Sequence, residues 1–251
     1  MVGTLSRADL TVLTLNLQQG TPPEQFAAGL AEIAALRPDV VLVQEADRGS
    51  LLSGRVDHTG LVAAACGLEH WQFLPGRSTW ATVLPFLNPR RRDVGENGTG
   101  VGIASRYPAT WHAHHLETKR PLPRRRGFHV DMDQPRQVLA ATLAVGDTTV
   151  TVASTHLSWH EGVGEDQLRQ VEDFLQTLPG PWILGGDFNQ RTNVSIWPSL
   201  CTGATYPAHR PRFQLDYLVS DLPALRAEIH RFSFSDHRGV LAAVSISDEG
   251  Q

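Results

Sequence analysis

The sequence has only two cysteines in 251 residues, Cys66 and Cys201. They lie far apart, so they match neither the clustered ligands of a zinc site nor the framework of a small disulfide-stabilised fold. A chain of this length buries enough apolar surface to fold without crosslinks. We therefore expect two reduced thiols without a chemical role, and any metal site must use other ligands.

Positive charge is also scarce, because 22 Lys and Arg face 26 Asp and Glu, for a formal net charge of -4. Attraction of the whole molecule to a polyanion is thereby excluded. The arginine runs at residues 90–92 and 124–126 could contact phosphate locally, although such runs are more often solvated loops. The sequence also lacks a visible signal peptide and any apolar run of membrane length. We expect a cytoplasmic monomer without integral membrane association.

Short apolar segments recur along the chain and predict more strands than helices. Strands are predicted over residues 11–17, 39–44, 101–105, 138–145, 149–154, 182–184, 215–219 and 239–246, and helices over 23–36 and 165–178. No repeat or low-complexity linker interrupts this pattern. Residues 1–251 are therefore predicted to form one domain with a core of about residues 9–247.

Polar residues repeatedly follow the predicted strands. They are Asn16, Glu45, His156, Asp187, Asn189, Asp216, Asp236 and His237. A single Asn or Asp at such a position is commonly a turn former or a cap, but that reading does not explain the recurrence. Because carboxylate and amide oxygens suit hard cations, the set predicts a Mg²⁺ or Mn²⁺ site at one edge of packed sheets.

Two other patterns are set aside. The glycines at positions 98, 100 and 102 lead into a predicted strand instead of opening a helix, which argues against a dinucleotide site. His112, His114 and His115 have no acidic or cysteine partner at ligand spacing, and we interpret them as part of a solvated loop.

The strand-end motifs resemble, in order, those of the endonuclease/exonuclease/phosphatase superfamily, which includes deoxyribonuclease I. The matching segments are Leu-Asn-Leu (15–17), Val-Gln-Glu (43–45), the glycine-rich segment 98–108, Ser-Thr-His-Leu (154–157), Gly-Gly-Asp-Phe-Asn (185–189), Leu-Asp-Tyr (215–217) and Ser-Asp-His (235–237). The resemblance covers nearly the whole chain. It implies an α/β (α+β) fold, a four-layer α/β/β/α sandwich of two mostly antiparallel sheets flanked by helices, with the active site at one end.

The resemblance also implies a role for each metal-site residue. Glu45 would be the main ligand, with Asn16 and Asp236 close to the same ion or its waters. Asp187 would orient or deprotonate the attacking water, and Asn189 would help to hold the phosphate.

The same resemblance assigns the two histidines to the phosphate. His156 and His237 would contact phosphoryl oxygens as cationic imidazoles, and Asp216 would fix the tautomer of His237. His156 is also a candidate general acid for the leaving oxygen.

The shared motifs predict the reaction class and leave the substrate open. We predict metal-dependent hydrolysis of a phosphoester, foremost a phosphodiester in a nucleic acid or a small molecule. Alternatives are a phospholipid (sphingomyelin-type) phosphodiesterase, a phosphomonoesterase, or a non-catalytic protein that binds a phosphate ligand. Trp80, Arg126 and His160 are the candidate substrate contacts, while the competing readings are core packing for Trp80, a structural role for Arg126 and a surface loop for His160.

Overall fold

The computed structural model describes residues 9–51, 53–78, 95–118 and 135–246. Trp80 and Arg126, two of the predicted substrate contacts, lie outside these residues, as do both arginine runs. Within the described part of the chain, no helix combines the length and the apolarity needed to cross a bilayer.

Strands and helices alternate irregularly along the chain. In order they are β1 (Asp9–Asn16), α1 (Pro23–Ala35), β2 (Val40–Arg48), α2 (His58–Cys66), β3 (His70–Arg77), β4 (Gly98–Ser105), β5 (Ala109–Leu116), β6 (Arg136–Val145), β7 (Thr148–His156), α3 (Val163–Leu175), β8 (Trp182–Asp187), β9 (Asp216–Val219), β10 (Ala224–Arg231) and β11 (Arg238–Ser245).

The strands form two mixed sheets. The first has the order β10-β11-β1-β2-β4-β3 and the second the order β5-β6-β7-β8-β9. Only β1 with β2 and β7 with β8 pair in parallel in the described sheets, and the other neighbours are antiparallel. The predicted pair of mostly antiparallel sheets is therefore confirmed.

The core is divided between three apolar layers. Side chains such as Val12, Leu42 and Val152 fill the space between the two sheets. α1 and α2 cover the outer face of the first sheet, where Phe26 and Ile33 are buried. α3 covers the outer face of the second sheet, where the third apolar layer is buried. The result is the predicted four-layer sandwich, in which burial of these apolar faces is the main stabilising contribution.

Some elements differ from the sequence-based predictions. α2, β3, β5 and β10 were not predicted, and α3 begins and ends two to three residues earlier than expected. The prediction of a solvated loop around His112, His114 and His115 is wrong, because these residues lie in β5 at the edge of the second sheet. Ala109, Trp111 and Ala113 alternate with polar residues, but a pattern made mostly of alanine and histidine is a weak strand signal.

A buried polar seam joins the two sheets. The Gln44 amide donates to Ser154 Oγ at 3.0 Å, and Ser154 Oγ donates to the carbonyl oxygen of Val43 at 3.0 Å. Gln44 and Ser154 are fully buried. Because a buried polar group without a partner is costly, this seam favours one alignment of β2 against β7.

His58 is a buried titratable residue outside the predicted site. Its ring stacks on Phe26 with 4.1 Å between centroids, and its Nδ1 accepts a hydrogen bond from the Asp47 amide at 3.3 Å. Burial lowers the pKa of His58, although the charges of Asp47 and Asp57 oppose the shift. The folded state therefore holds this imidazole neutral.

Acidification should consequently destabilise the protein in part through His58. As the pH falls through about 6.5, the unfolded chain takes up a proton at this histidine before the folded protein does, so the free energy of unfolding decreases. His58→Gln keeps an acceptor for the Asp47 amide but cannot titrate. In urea titrations with EDTA, the free energy of unfolding of the variant relative to that of the wild type should increase as the pH is lowered from 8 to 5. An unchanged difference between the two proteins would contradict this assignment.

Candidate active site

The predicted site residues meet at one end of the sandwich around a cleft of about 380 Å³. Ten residues line it: Glu45, Arg136, His156, Trp159, Asp187, Asn189, Tyr206, Leu215, Asp236 and His237. The remaining two predicted catalytic or metal-site residues, Asn16 and Asp216, are buried behind this lining and hydrogen-bond to members of it. The structure thus brings the eight predicted catalytic and metal-site residues together.

Strand pairing explains how these side chains meet. β7 and β8 are parallel and in register, so His156 lies beside Asp187, and β9 places Asp216 on the other side of Asp187. A Cβ on Gly186 would collide with the Thr155 carbonyl oxygen, so the glycine allows β8 to pair so closely with β7.

Glu45 lies within a strand, whereas the sequence places it at the end of one. β2 continues to Arg48, and its register against β4 shifts between Val43 and Ala46. Glu45 itself adopts a φ of 51°, as expected for a β-bulge that redirects a side chain. Its Oε2 accepts a hydrogen bond from the Gln19 amide at 2.8 Å.

Asp47 supports this bulge and was missed by the sequence analysis. It is fully buried, and its carboxylate accepts hydrogen bonds from Thr99 Oγ1 at 2.5 Å and from the Gly20 amide at 3.1 Å. Together with Glu45 it therefore binds two successive amides of the loop after β1. An acidic residue two positions beyond Glu45 was the available sequence signal.

Asp187 is the centre of the hydrogen-bond network. Its Oδ2 accepts from Asn16 Nδ2 at 3.1 Å, and its Oδ1 accepts from the Asn189 amide at 3.0 Å. Burial, followed by the negative charges of Asp216 and Glu45, raises the pKa of Asp187 to about 7, against the attraction of His237. A carboxyl group with such a pKa can take up a proton near neutral pH.

His237 is held as a cation. Its Nδ1 lies 2.9 Å from Asp216 Oδ2, and its Nε2 lies 3.8 Å from Asp187 Oδ2. Burial alone would lower the pKa of His237, but the charge and hydrogen bond of Asp216, with Asp187 and Asp236 adding, raise it to about 10. The imidazolium therefore presents Nε2 as a donor toward the cleft.

His156 differs from the expected second cation. Burial, followed by the positive charges of Arg136 and His237, moves the pKa of His156 well below its ordinary value, so its ring is neutral. Asn189 Nδ2 lies 3.1 Å from His156 Nε2 and 3.1 Å from the Leu157 carbonyl oxygen. Since the amide is the donor, Nε2 accepts. Asn189 in this arrangement positions His156, and one of its two bonds would have to open for it to hold a phosphate.

Besides Leu215, three further residues of the cleft lining were not predicted as site residues. Arg136 is 7 % exposed and donates to the His156 carbonyl oxygen at 3.4 Å, and Tyr206 packs its ring against His237. The third is Trp159. The predicted contact His160 is itself buried beneath Trp159 and is not part of the cleft lining. No strand-end pattern marks these positions in the sequence.

The donor set suits a hard divalent cation. Asp187, Asp216 and His237 place possible ligand atoms within 4.8 Å of one another, but a protonated His237 bonded to Asp216 cannot act as a ligand. Glu45 and Asp236 are better suited, because both are carboxylates of the cleft lining. Asn16 turns its amide nitrogen, and not its oxygen, toward Glu45 and Asp187.

The charge balance of the lining also favours binding of a divalent cation. Four carboxylates in or directly behind the lining, Glu45, Asp187, Asp216 and Asp236, face the cations Arg136 and His237. Repulsion by Asp216 and Glu45 contributes to the raised pKa of Asp187. A divalent cation would relieve that repulsion.

Comparison with known proteins identifies the architecture. The sequence profile of the endonuclease/exonuclease/phosphatase family matches residues 13–237. No curated protein matches the chain.

Solved structures with low sequence identity share the fold. The endonuclease/exonuclease/phosphatase from Beutenbergia cavernae is 20% identical with a TM-score of 0.65, and the match covers 95% of this chain and 72% of that one. A humanized TDP2 from D. rerio is 16% identical with a TM-score of 0.59, over 94% and 98% of the two chains. A mannosyl-6-phosphatase from Bacteroides thetaiotaomicron is 15% identical with a TM-score of 0.66, over 93% and 98%.

Proposed function

The chain belongs to the endonuclease/exonuclease/phosphatase family, and from this we propose that it hydrolyses phosphodiester bonds with a bound Mg²⁺ or Mn²⁺. The observation that carries the proposal is the placement of Asp187, a buried carboxylate with a pKa of about 7, beside the cationic His237 in an open cleft. A proton acceptor and a fixed positive charge are the two groups that attack of water on a phosphoester requires.

The side chains divide the chemistry between them. Asp187 accepts the proton of the attacking water, and Asn16 with the Asn189 amide holds its two oxygens in place. His237 donates from Nε2 to a phosphoryl oxygen, while Asp216 on Nδ1 keeps it protonated. Glu45 and Asp236 are the residues that would hold the divalent cation, which would neutralise negative charge on the phosphoryl group when bound.

The charge of the cleft favours a diester over a monoester. Among the described residues, the four carboxylates Glu45, Asp187, Asp216 and Asp236 surround two cationic side chains, so a divalent cation only balances the charge of these groups. A phosphodiester brings one negative charge and a monoester brings nearly two near neutral pH. The monoanion is therefore the better electrostatic match.

A pair of chromogenic substrates tests the proposal. We expect kcat/KM for bis-p-nitrophenyl phosphate to exceed that for p-nitrophenyl phosphate by about tenfold in Mg²⁺ or Mn²⁺, since the added charge of the monoester should cost on the order of 1 kcal/mol. A preference for the monoester would instead indicate a phosphatase, an activity that the name of one structural neighbour states for that protein. Turnover of neither substrate with either metal would favour a protein that only binds a phosphate ligand.

A further inference from the structure

We propose that Trp159 forms a stacking subsite that binds a flat aromatic ring of the substrate next to the reacting phosphate. The inference rests on the proposed phosphoester function and specifies the substrate class of the same cleft. Trp159 lines the cleft together with His156, Asp187 and His237.

The exposure of Trp159 is the first observation. Half of this large apolar side chain, 50%, is accessible to solvent. An indole leaves that much surface in water only at a cost, which contact with an apolar ring face would offset. The cleft of about 380 Å³ is also much larger than a phosphate group, so space for such a ring lies beside the reacting centre.

The second observation is that the indole rests on a rigid base. One face of Trp159 stacks on the His160 ring with 3.9 Å between centroids and an interplanar angle of 27°. His160 is buried, its amide donates to Ser158 Oγ, and its carbonyl oxygen accepts from Val163 and Gly164 at the start of α3. A platform fixed in this way loses little conformational entropy when a ligand stacks on it.

A comparison within the chain separates this residue from an ordinary exposed aromatic. Trp71 is 38% exposed, but the Arg48 guanidinium lies 5.3 Å from its ring centroid, and it is not part of the cleft lining. Trp159 has an aromatic support beneath it and the reaction site beside it. Trp71 is therefore the matched control for loss of an exposed indole.

Binding of two matched esters provides the test. Phenyl methylphosphonate and cyclohexyl methylphosphonate carry the same charge and a six-membered ring, but only the phenyl ring is flat. Calorimetric titration in Mg²⁺ should show about tenfold tighter binding of the phenyl ester to the wild type, the range expected for aromatic stacking. Trp159→Ala should abolish this preference, Trp159→Phe should retain part of it, and Trp71→Ala should leave it unchanged.

The outcomes separate this inference from the function on which it rests. Equal affinities for the two esters in the wild type, or a phenyl preference that survives in Trp159→Ala, would overturn the stacking subsite alone. If neither ester binds to the wild type in Mg²⁺, the phosphoester site and the subsite are overturned together.

Discussion

Replacing Asp187 with asparagine is expected to lower kcat for a phosphodiester by about 10³-fold, in the range for loss of a general base. Asparagine preserves the shape of the side chain but cannot accept the proton of the attacking water. The effect should fall on kcat more than on KM, because the change acts on the transition state. Steady-state rates with bis-p-nitrophenyl phosphate in Mg²⁺ measure it.

The same substitution should stabilise the metal-free protein. Since the pKa of Asp187 is raised to about 7 in the folded state, the folded protein binds this proton more tightly than the unfolded chain. The free energy of unfolding of the wild type therefore decreases as the pH rises from about 4 to 7, and it stays lower above that range. Asp187→Asn lacks the penalty and should have the larger free energy of unfolding at pH 8 with EDTA, as expected where stability is sacrificed for activity.

If Asp187→Asn lowers kcat and also increases the free energy of unfolding, misfolding is excluded as the cause of the lower rate. Asp221→Asn is the control, because Asp221 is exposed and lies beyond the end of β9 that is remote from Asp216. The control should retain the wild-type rate. An Asp187→Asn variant with more than a tenth of that rate would contradict the assigned role.

Replacing His237 with glutamine is expected to lower kcat/KM by about 10²-fold to 10³-fold, as for loss of one donor to a developing negative charge. The glutamine amide can donate a hydrogen bond but carries no positive charge. In steady-state rates with bis-p-nitrophenyl phosphate, the loss should be similar at all pH values below about 10, because His237 stays protonated there in the wild type and the glutamine does not titrate.

Asp216→Asn provides the matched experiment on pH. The charge and hydrogen bond of Asp216 raise the pKa of His237 against burial, so their loss should lower that pKa. His237 acts when protonated, and activity should disappear as the pH rises through its pKa. The alkaline limb of the kcat/KM profile should therefore move to lower pH in Asp216→Asn. An unchanged alkaline limb would show that His237 does not act as a cation.

The site residues that lie at the ends of strands could be predicted from the sequence. Asn16, His156, Asp187 and Asp216 terminate or begin strands, and the parallel pairing of β7 with β8 makes residues close in space that are distant in sequence. The apolar runs of the inner strands were long enough to recognise. Edge strand β5 was missed, because much of its surface is exposed and the alternation of Ala109, Trp111 and Ala113 with polar residues is a weak signal.

Features that arise only from tertiary packing could not be predicted from the sequence. The bulge at Glu45 depends on the register of β4 and on Asp47, and neither leaves a periodic pattern. The family resemblance assigned both His156 and His237 to phosphoryl oxygens as cationic imidazoles. The structure separates them, because His237 has a carboxylate on Nδ1 whereas His156 is partly buried beside the positive charge of Arg136. A pKa follows from surroundings that neighbours in sequence do not determine.

The most direct test of the proposed chemistry is addition of Mg²⁺ to EDTA-treated protein while hydrolysis of bis-p-nitrophenyl phosphate is followed. We expect no turnover before addition and a saturable increase with Mg²⁺ in the wild type. Glu45→Gln should need a much higher Mg²⁺ concentration for the same rate, because it loses the carboxylate that the bulge of β2 presents to the cleft. Hydrolysis that is equally fast in EDTA, or a Glu45→Gln variant with the wild-type Mg²⁺ dependence, would contradict a metal-dependent phosphodiesterase built on these residues.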